Sequence, residues 1–166
     1  MNFLPISVNI EDETILIIGG GKVAIHKIES LERFTQRIKV IALEVVAEIR
    51  QRPFIEIVEK GYEPADLSGH LLVYAATDDQ ALNSRIRQDG RRYRCLVNVV
   101  DKPSNCDFVS PAIYKKDHMT VAVSSNGENV YGSIQWRNAI RDKVEAGEIN
   151  PIITKEEGRK VMEAKP

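Results

Sequence analysis

A run of four aliphatic residues ending in three glycines, Ile15-Leu16-Ile17-Ile18-Gly19-Gly20-Gly21, constrains this chain more than any other stretch. Consecutive apolar residues suit a strand buried on both faces, as in a parallel sheet covered by helices. The spacing then changes, and Ala24, Ile28 and Leu31 recur at helical intervals. Strand, glycine turn and helix form the context in which Gly-x-Gly-x-x-Ala signals dinucleotide binding. Gly19 then allows the tight turn, Gly21 lets a pyrophosphate approach the backbone, and Ala24 lets the helix sit close on the sheet. Lys22 and Val23 open the helix, whose unpaired N–H groups would face the phosphates. A tight strand-to-helix turn without a ligand is the alternative.

Four further apolar runs follow. They are Ile38–Leu43, Phe54–Val58, Leu71–Ala76 and Leu96–Val100, with helical spacing between several of them. Before the first, Ile6–Ile10 alternates apolar and polar residues and reads as a short edge strand. Helices are expected to about Phe34, over Val45–Gln51, and from about Gln80 to Arg87, where Gly90 follows as a stop. Strands alternating with helices predict an α/β fold, a Rossmann-like doubly wound parallel sheet. Ligands on such sheets lie at the carboxyl ends of the strands. That rule collects Gly19 to Lys22, Leu43 and Glu44, Thr77 and Asp78, and Asn98 to Asp101 along one edge. Glu44 is placed to hydrogen-bond an adenine ribose, which favours NAD over NADP. It equally suits the start of the next helix.

After Asp101 the pattern changes. Phe108–Tyr114 and Met119–Ser124 read as a β-hairpin, and a last helix runs from about Tyr131 to Glu145. The division expected is a nucleotide-binding domain over 1–105 and a hairpin and helical segment over 106–166. The latter has too little core to stand alone, so a homodimer is expected. Residues 150–166 read either as a short docked helix or as a frayed end.

Composition excludes several classes. Net charge is −1, so no overall field draws the chain to nucleic acid or to a membrane surface. No apolar run reaches the roughly 18 residues of a membrane span. The start, Met1–Ile6, lacks a basic region followed by an apolar core, so a cytoplasmic location is expected. Two cysteines and three histidines are scattered, without metal-ligand spacing, so no resident metal is expected.

Several separated stretches then coincide in order. They are Gly19–Ala24, Ala75-Ala76-Thr77-Asp78-Asp79, Asn83, Asn98-Val99-Val100-Asp101, Phe108-Val109 with Pro111-Ala112-Ile113, and Val121–Ser125. Together, over roughly residues 3 to 145, they resemble the precorrin-2 dehydrogenase family of sirohaem synthesis. The resemblance extends to the amino-terminal portion of multifunctional sirohaem synthases. It implies oxidation of precorrin-2 to sirohydrochlorin with NAD⁺ as hydride acceptor and, in some members, insertion of Fe²⁺. It places NAD contacts on Lys22, Val23, Leu43 and Glu44, the functional aspartate on Asp101, and a serine phosphorylated in some relatives on Ser125.

Asp101 suits proton transfer, because desaturation removes a hydride and a proton. As a residue before Pro103 it also suits a plain turn. The substrate carries many carboxylates, and Lys115, His118 and Arg137 could meet them. A solvated basic face explains these cations as well. The stretch Ser124-Ser125-Asn126-Gly127-Glu128-Asn129-Val130 departs from the family pattern in having no proline. The alternatives are an NAD-sensing regulatory module and a tetrapyrrole- or metal-binding protein without redox activity.

Overall fold

A computed structural model describes residues 1–100 and 102–149. Two compact units are distinguished, one spanning Phe3–Val109 and the other comprising Met1–Asn2 and the chain from Ser110.

The first unit holds a five-stranded parallel sheet of β1 (Ile15–Ile18), β2 (Ile38–Ala42), β3 (Ile55–Glu59), β4 (Leu72–Ala75) and β5 (Leu96–Val99), in the order β3-β2-β1-β4-β5. This is the Rossmann-like arrangement expected. Strand order reverses between β1 and β4, the place where such sheets open a crevice at their carboxyl edge. All four residues of β1 are at most 2% exposed, because both faces are covered. Ile15 and Ile17 join Ala24 and Ile28 of α1 (Lys22–Leu31) and Ile49 of α2 (Ala47–Arg50) on one side. Leu16 and Ile18 join Ile86 of α3 (Gln80–Tyr93) and Leu67 on the other. Each such side chain contributes about 1.5–3 kcal/mol on leaving water, so this strand is the axis of the fold.

Two expectations are corrected. No strand forms over Ile6–Ile10; residues 1–10 have no regular structure, and Leu4 and Ile6 are exposed. The outer strands β3 and β5 each keep an open edge, but the alternating segment pairs with neither, and without ladder hydrogen bonds to a neighbour alternation alone does not make a strand. Helix α3 does not stop before Gly90 but runs through it to Tyr93, where Arg94 adopts a left-handed conformation (φ 59°) and ends it. A Cβ on Gly90 would stand 2.4 Å from Val97 Cγ2, so this glycine lets α3 lie close on β5.

The second unit contains an antiparallel hairpin, β6 (Ala112–Lys116) and β7 (Met119–Val123), and α4 (Val130–Glu145). Helix α4 begins without a proline: Asn126 (φ 56°) and Gly127 (φ 80°) make the turn, and the Asn129 side chain accepts from the Gly132 N–H at 2.8 Å. Arg137 Nη1 donates to the Ile113 carbonyl at 3.0 Å, and Glu145 accepts from the Tyr114 hydroxyl and from Lys116. The last of these contacts tie the helix to the hairpin. Residues 150–166 lie outside the described residues. Among the described residues, no helix is long and apolar enough to cross a membrane.

Gly90→Ala should lower the unfolding free energy by about 1–3 kcal/mol, the usual cost of overpacking, read as a shifted urea midpoint with unchanged slope. The hydrogen bond from Tyr114, helped by Lys116, holds the Glu145 carboxyl below its ordinary 4.5, while the Tyr114 phenol is pushed up to about 12. A depressed carboxyl means the contact is present above 4.5 and is lost as pH falls through the lowered value. In Tyr114→Phe the Glu145 titration, followed by NMR of its carboxyl carbon, should therefore move up toward 4.5.

Candidate functional site

At the carboxyl ends of β1, β2, β3 and β4 the first unit opens into a crevice of about 600 Å³. Its floor is bare backbone. Gly19 has φ +128°, and a Cβ there would lie 2.2 Å from the Ala76 carbonyl oxygen. A Cβ on Gly20 would lie 2.2 Å from the Glu44 carbonyl oxygen. Neither position admits a side chain, because the loops after β4 and β2 close directly on this turn. The contacts that hold them are Ala76 N–H to Ile18 O at 2.8 Å and Val46 N–H to Gly20 O at 3.0 Å.

Gly21 is the opposite case. A Cβ there would meet nothing within 4 Å, so the space before it is open to a ligand. Gly21 also starts α1, and no side chain caps this helix, nor does an acid lie in its first turn. Its unpaired N–H groups and positive end therefore remain available to an anion. Open space, an uncapped helix start and an enclosing crevice together fit the diphosphate of a dinucleotide.

The crevice brings together most of the expected residues. Gly19, Gly21, Lys22 and Val23 line it from the first turn, Leu43 and Glu44 from the end of β2, and Thr77 and Asp78 from the end of β4. Leu43 is 76% exposed, an apolar surface without a protein partner over most of its area. Ala24 does not line it; it is fully buried under α1, where its small size lets the helix approach the sheet. Asn98 does not line it either. Its side chain is buried in β5, its Nδ2 donates to the Phe108 carbonyl at 2.9 Å, and its buried Oδ1 has no hydrogen-bond partner among the described residues. Asp101 lies outside the described residues.

The loop of Thr77 is set by a residue that site reasoning passed over. Asn83 is buried; its Nδ2 donates to the Thr77 carbonyl at 2.8 Å, and its Oδ1 accepts from the Thr77 hydroxyl at 2.8 Å. Asp79 caps α3 by accepting from Ala81 N–H at 2.8 Å and Leu82 N–H at 3.0 Å. Lys60, Gly61 and Tyr62 also line the crevice, from the end of β3. Extending the carboxyl-end rule to the third strand would have found them. Burial, and then the hydrogen bond to the buried Asp89 carboxylate at 3.1 Å, push the Tyr62 phenol well above its usual range.

In the second unit, Ser125 lines a smaller cavity of about 240 Å³ with Asn129, Ser133 and Trp136. Its Oγ accepts from the Asn129 N–H at 2.9 Å. Lys115 Nζ donates to the Asp117 carbonyl at 2.9 Å, and His118 is exposed at the hairpin turn. Arg137 is committed to Ile113 and to Asn138, whose Oδ1 lies 2.8 Å from its Nε. Among the described residues, no group of three or more His, Cys, Asp or Glu side chains could hold a metal ion.

Comparison with known proteins agrees with this geometry. The NAD_binding_7 family model, described as "Putative NAD(P)-binding", matches residues 6–112. Siroheme synthase 1 of Pectobacterium atrosepticum is 38% identical over 131 residues, covering 77% of this chain and 27% of its own length. The siroheme synthase of Ectopseudomonas mendocina is 40% identical over 129 residues, covering 77% and 28%, and that of Methylococcus capsulatus 38% over 143 residues, covering 84% and 30%. The chain thus spans under a third of the length of these curated relatives. A solved structure of SirC, a precorrin-2 dehydrogenase, shares the fold with a TM-score of 0.73 at 18% identity, covering 99% of this chain and 90% of that one. With the family model spanning well over half of its residues, the chain belongs to the NAD(P)-binding, sirohaem-synthase-like family that its sequence resembles.

Proposed function

We propose that this chain is an NAD-dependent dehydrogenase that oxidises precorrin-2 to sirohydrochlorin in sirohaem synthesis. The observation that carries the reading is the uncapped start of α1 with open space before Gly21, at the floor of a crevice fit for a dinucleotide. The likeness to siroheme synthases supports the substrate. Bound in the crevice, a nicotinamide dinucleotide would supply the hydride acceptor. The chain's own part is to hold and orient. Backbone N–H groups at Gly21 to Val23 would receive the diphosphate. Glu44, exposed at the end of β2, would accept from the adenine-ribose hydroxyls and repel a 2′-phosphate, which favours NAD. The Thr77 loop, fixed by Asn83, would present a preformed wall rather than one that must order on binding.

Oxidation of the macrocycle removes a hydride and a proton. We assign the proton to Asp101, the second residue after β5 in the chain. Fe²⁺ insertion into the product, implied by the resemblance for some members, would call on the same carboxylate for pyrrole N–H protons. Lys115, His118, Ser125 and Arg137 are proposed to meet substrate carboxylates. The nucleotide-binding part is taken as 1–105, and the hairpin and helix over 106–166 as the substrate and dimer segment. Val130, Tyr131 and Trp136 on α4 are 61%, 84% and 71% exposed, which supports burial against a second copy as a homodimer. A cytoplasmic setting goes with this reading.

Anaerobic incubation with precorrin-2 and NAD⁺ should produce the absorbance of sirohydrochlorin together with NADH; adding Fe²⁺ afterwards tests insertion separately. NAD⁺ binding without any spectral change would favour the sensor reading instead. Asp101→Asn should slow precorrin-2 oxidation by about 100-fold or more, the scale of a lost acid–base group, while calorimetry shows NAD⁺ affinity within about twofold of the parent.

A further inference from the structure

Lys60 sits where a cation would decide between the two nicotinamide dinucleotides. Ala42 pairs with Glu59 across β2 and β3, and the Lys60 N–H donates to the Ala42 carbonyl at 3.0 Å. Lys60 is therefore beside the Leu43-Glu44 tip of β2, and it is among the residues that line the same crevice as Glu44. In dinucleotide folds this tip meets the adenine ribose, where a basic side chain accommodates a 2′-phosphate.

The ammonium is not presented alone. Lys60 Nζ lies 2.7 Å from Asp66 Oδ1 and 3.0 Å from Glu63 Oε2. The acids are themselves held: the turn Pro64–Leu67 begins with a reciprocal cap in which Glu63 N–H donates to Asp66 Oδ2 at 2.8 Å. The Asp66 side chain is only 12% exposed, so the shorter contact is partly shielded from water.

We infer that Lys60 is a cofactor-selecting residue kept silent by Asp66 and Glu63, so that the ribose end of the crevice presents net negative charge and accepts a dinucleotide lacking a 2′-phosphate. The inference rests on the nicotinamide-dinucleotide reading of the crevice and extends it from Glu44 to a charged trio on the neighbouring strand. The two acids also raise the Lys60 ammonium above its ordinary 10.5, Asp66 most strongly, so the cation persists at all working pH and only its pairing is adjustable.

Calorimetric titration of the full chain with NAD⁺ and with NADP⁺ tests this. The parent should prefer NAD⁺, and Glu63→Gln/Asp66→Asn should narrow that preference about tenfold, through a gain in NADP⁺ affinity from one newly available charge-assisted contact. Adding Lys60→Met to the double variant should abolish the gain. Glu63→Gln alone, at a 71% exposed side chain where folding is not at stake, should narrow the preference by about threefold. A parent that prefers NADP⁺, no gain in either acid variant, or a gain that survives loss of Lys60 would each overturn the inference, the last because simple relief of repulsion would then suffice. Binding of neither nucleotide by the parent would instead remove the cofactor reading beneath it.

Discussion

The fold turns on two successive positions that have no room for a side chain. At Gly19 and Gly20 a Cβ would overlap the Ala76 and Glu44 carbonyl oxygens, each at 2.2 Å. Backbone oxygens cannot rotate aside as a flexible side chain can, so any larger residue must separate β1 from the loops after β4 or β2. Those loops carry Thr77 and Glu44. The geometry of the crevice is thus set by packing of main chain on main chain, before any polar side chain contributes. Gly21, with nothing within 4 Å, is the one member of the triplet left for a ligand. Two glycines serve the protein, and the third faces outward.

Rigidity around that turn comes from hydrogen bonds that use side chains inwardly. Asn83 spends both ends of its amide on Thr77, and Asp79 spends its carboxylate on the first N–H groups of α3. Residues at the site therefore divide into those that face the crevice and those that hold the facing residues still. Preordering of this kind lowers the entropic cost of binding. It also explains why a polar residue in a crevice loop need not touch a ligand to matter.

What the sequence revealed follows the same division. Strands β1 and β4 are buried on both faces, and this leaves uninterrupted apolar runs that can be read directly. The glycine turn and the tips of β2 and β4 follow from position alone. Features that depend on a distant neighbour were not legible. Gly90 looks like a helix stop until Val97, across the α3–β5 contact, shows why it has no side chain. Alternation over Ile6–Ile10 promises a strand, but a strand needs a partner, and the segment joins neither of the open edges that β3 and β5 present. Gly20 stands at a variable position of the motif, and only the Glu44 carbonyl reveals its constraint. Lys60 and Tyr62 were missed because β3 lies away from the strand reversal, although its end still borders the crevice.

Charge completes the argument about what this crevice can favour. Glu44, Asp78 and Asp79 all line it, an arrangement that would repel a diphosphate held by side chains alone. Asp79 is engaged with N–H groups of α3, and Lys60 with two other acids, so neither presents an isolated charge. Attraction for an anion must then come chiefly from the uncapped start of α1 and from Lys22 beside it. The helix end acts within its first turn and fades beyond it. Affinity for a diphosphate and discrimination at a ribose several ångströms away are for that reason governed by different groups, so one can change while the other is kept.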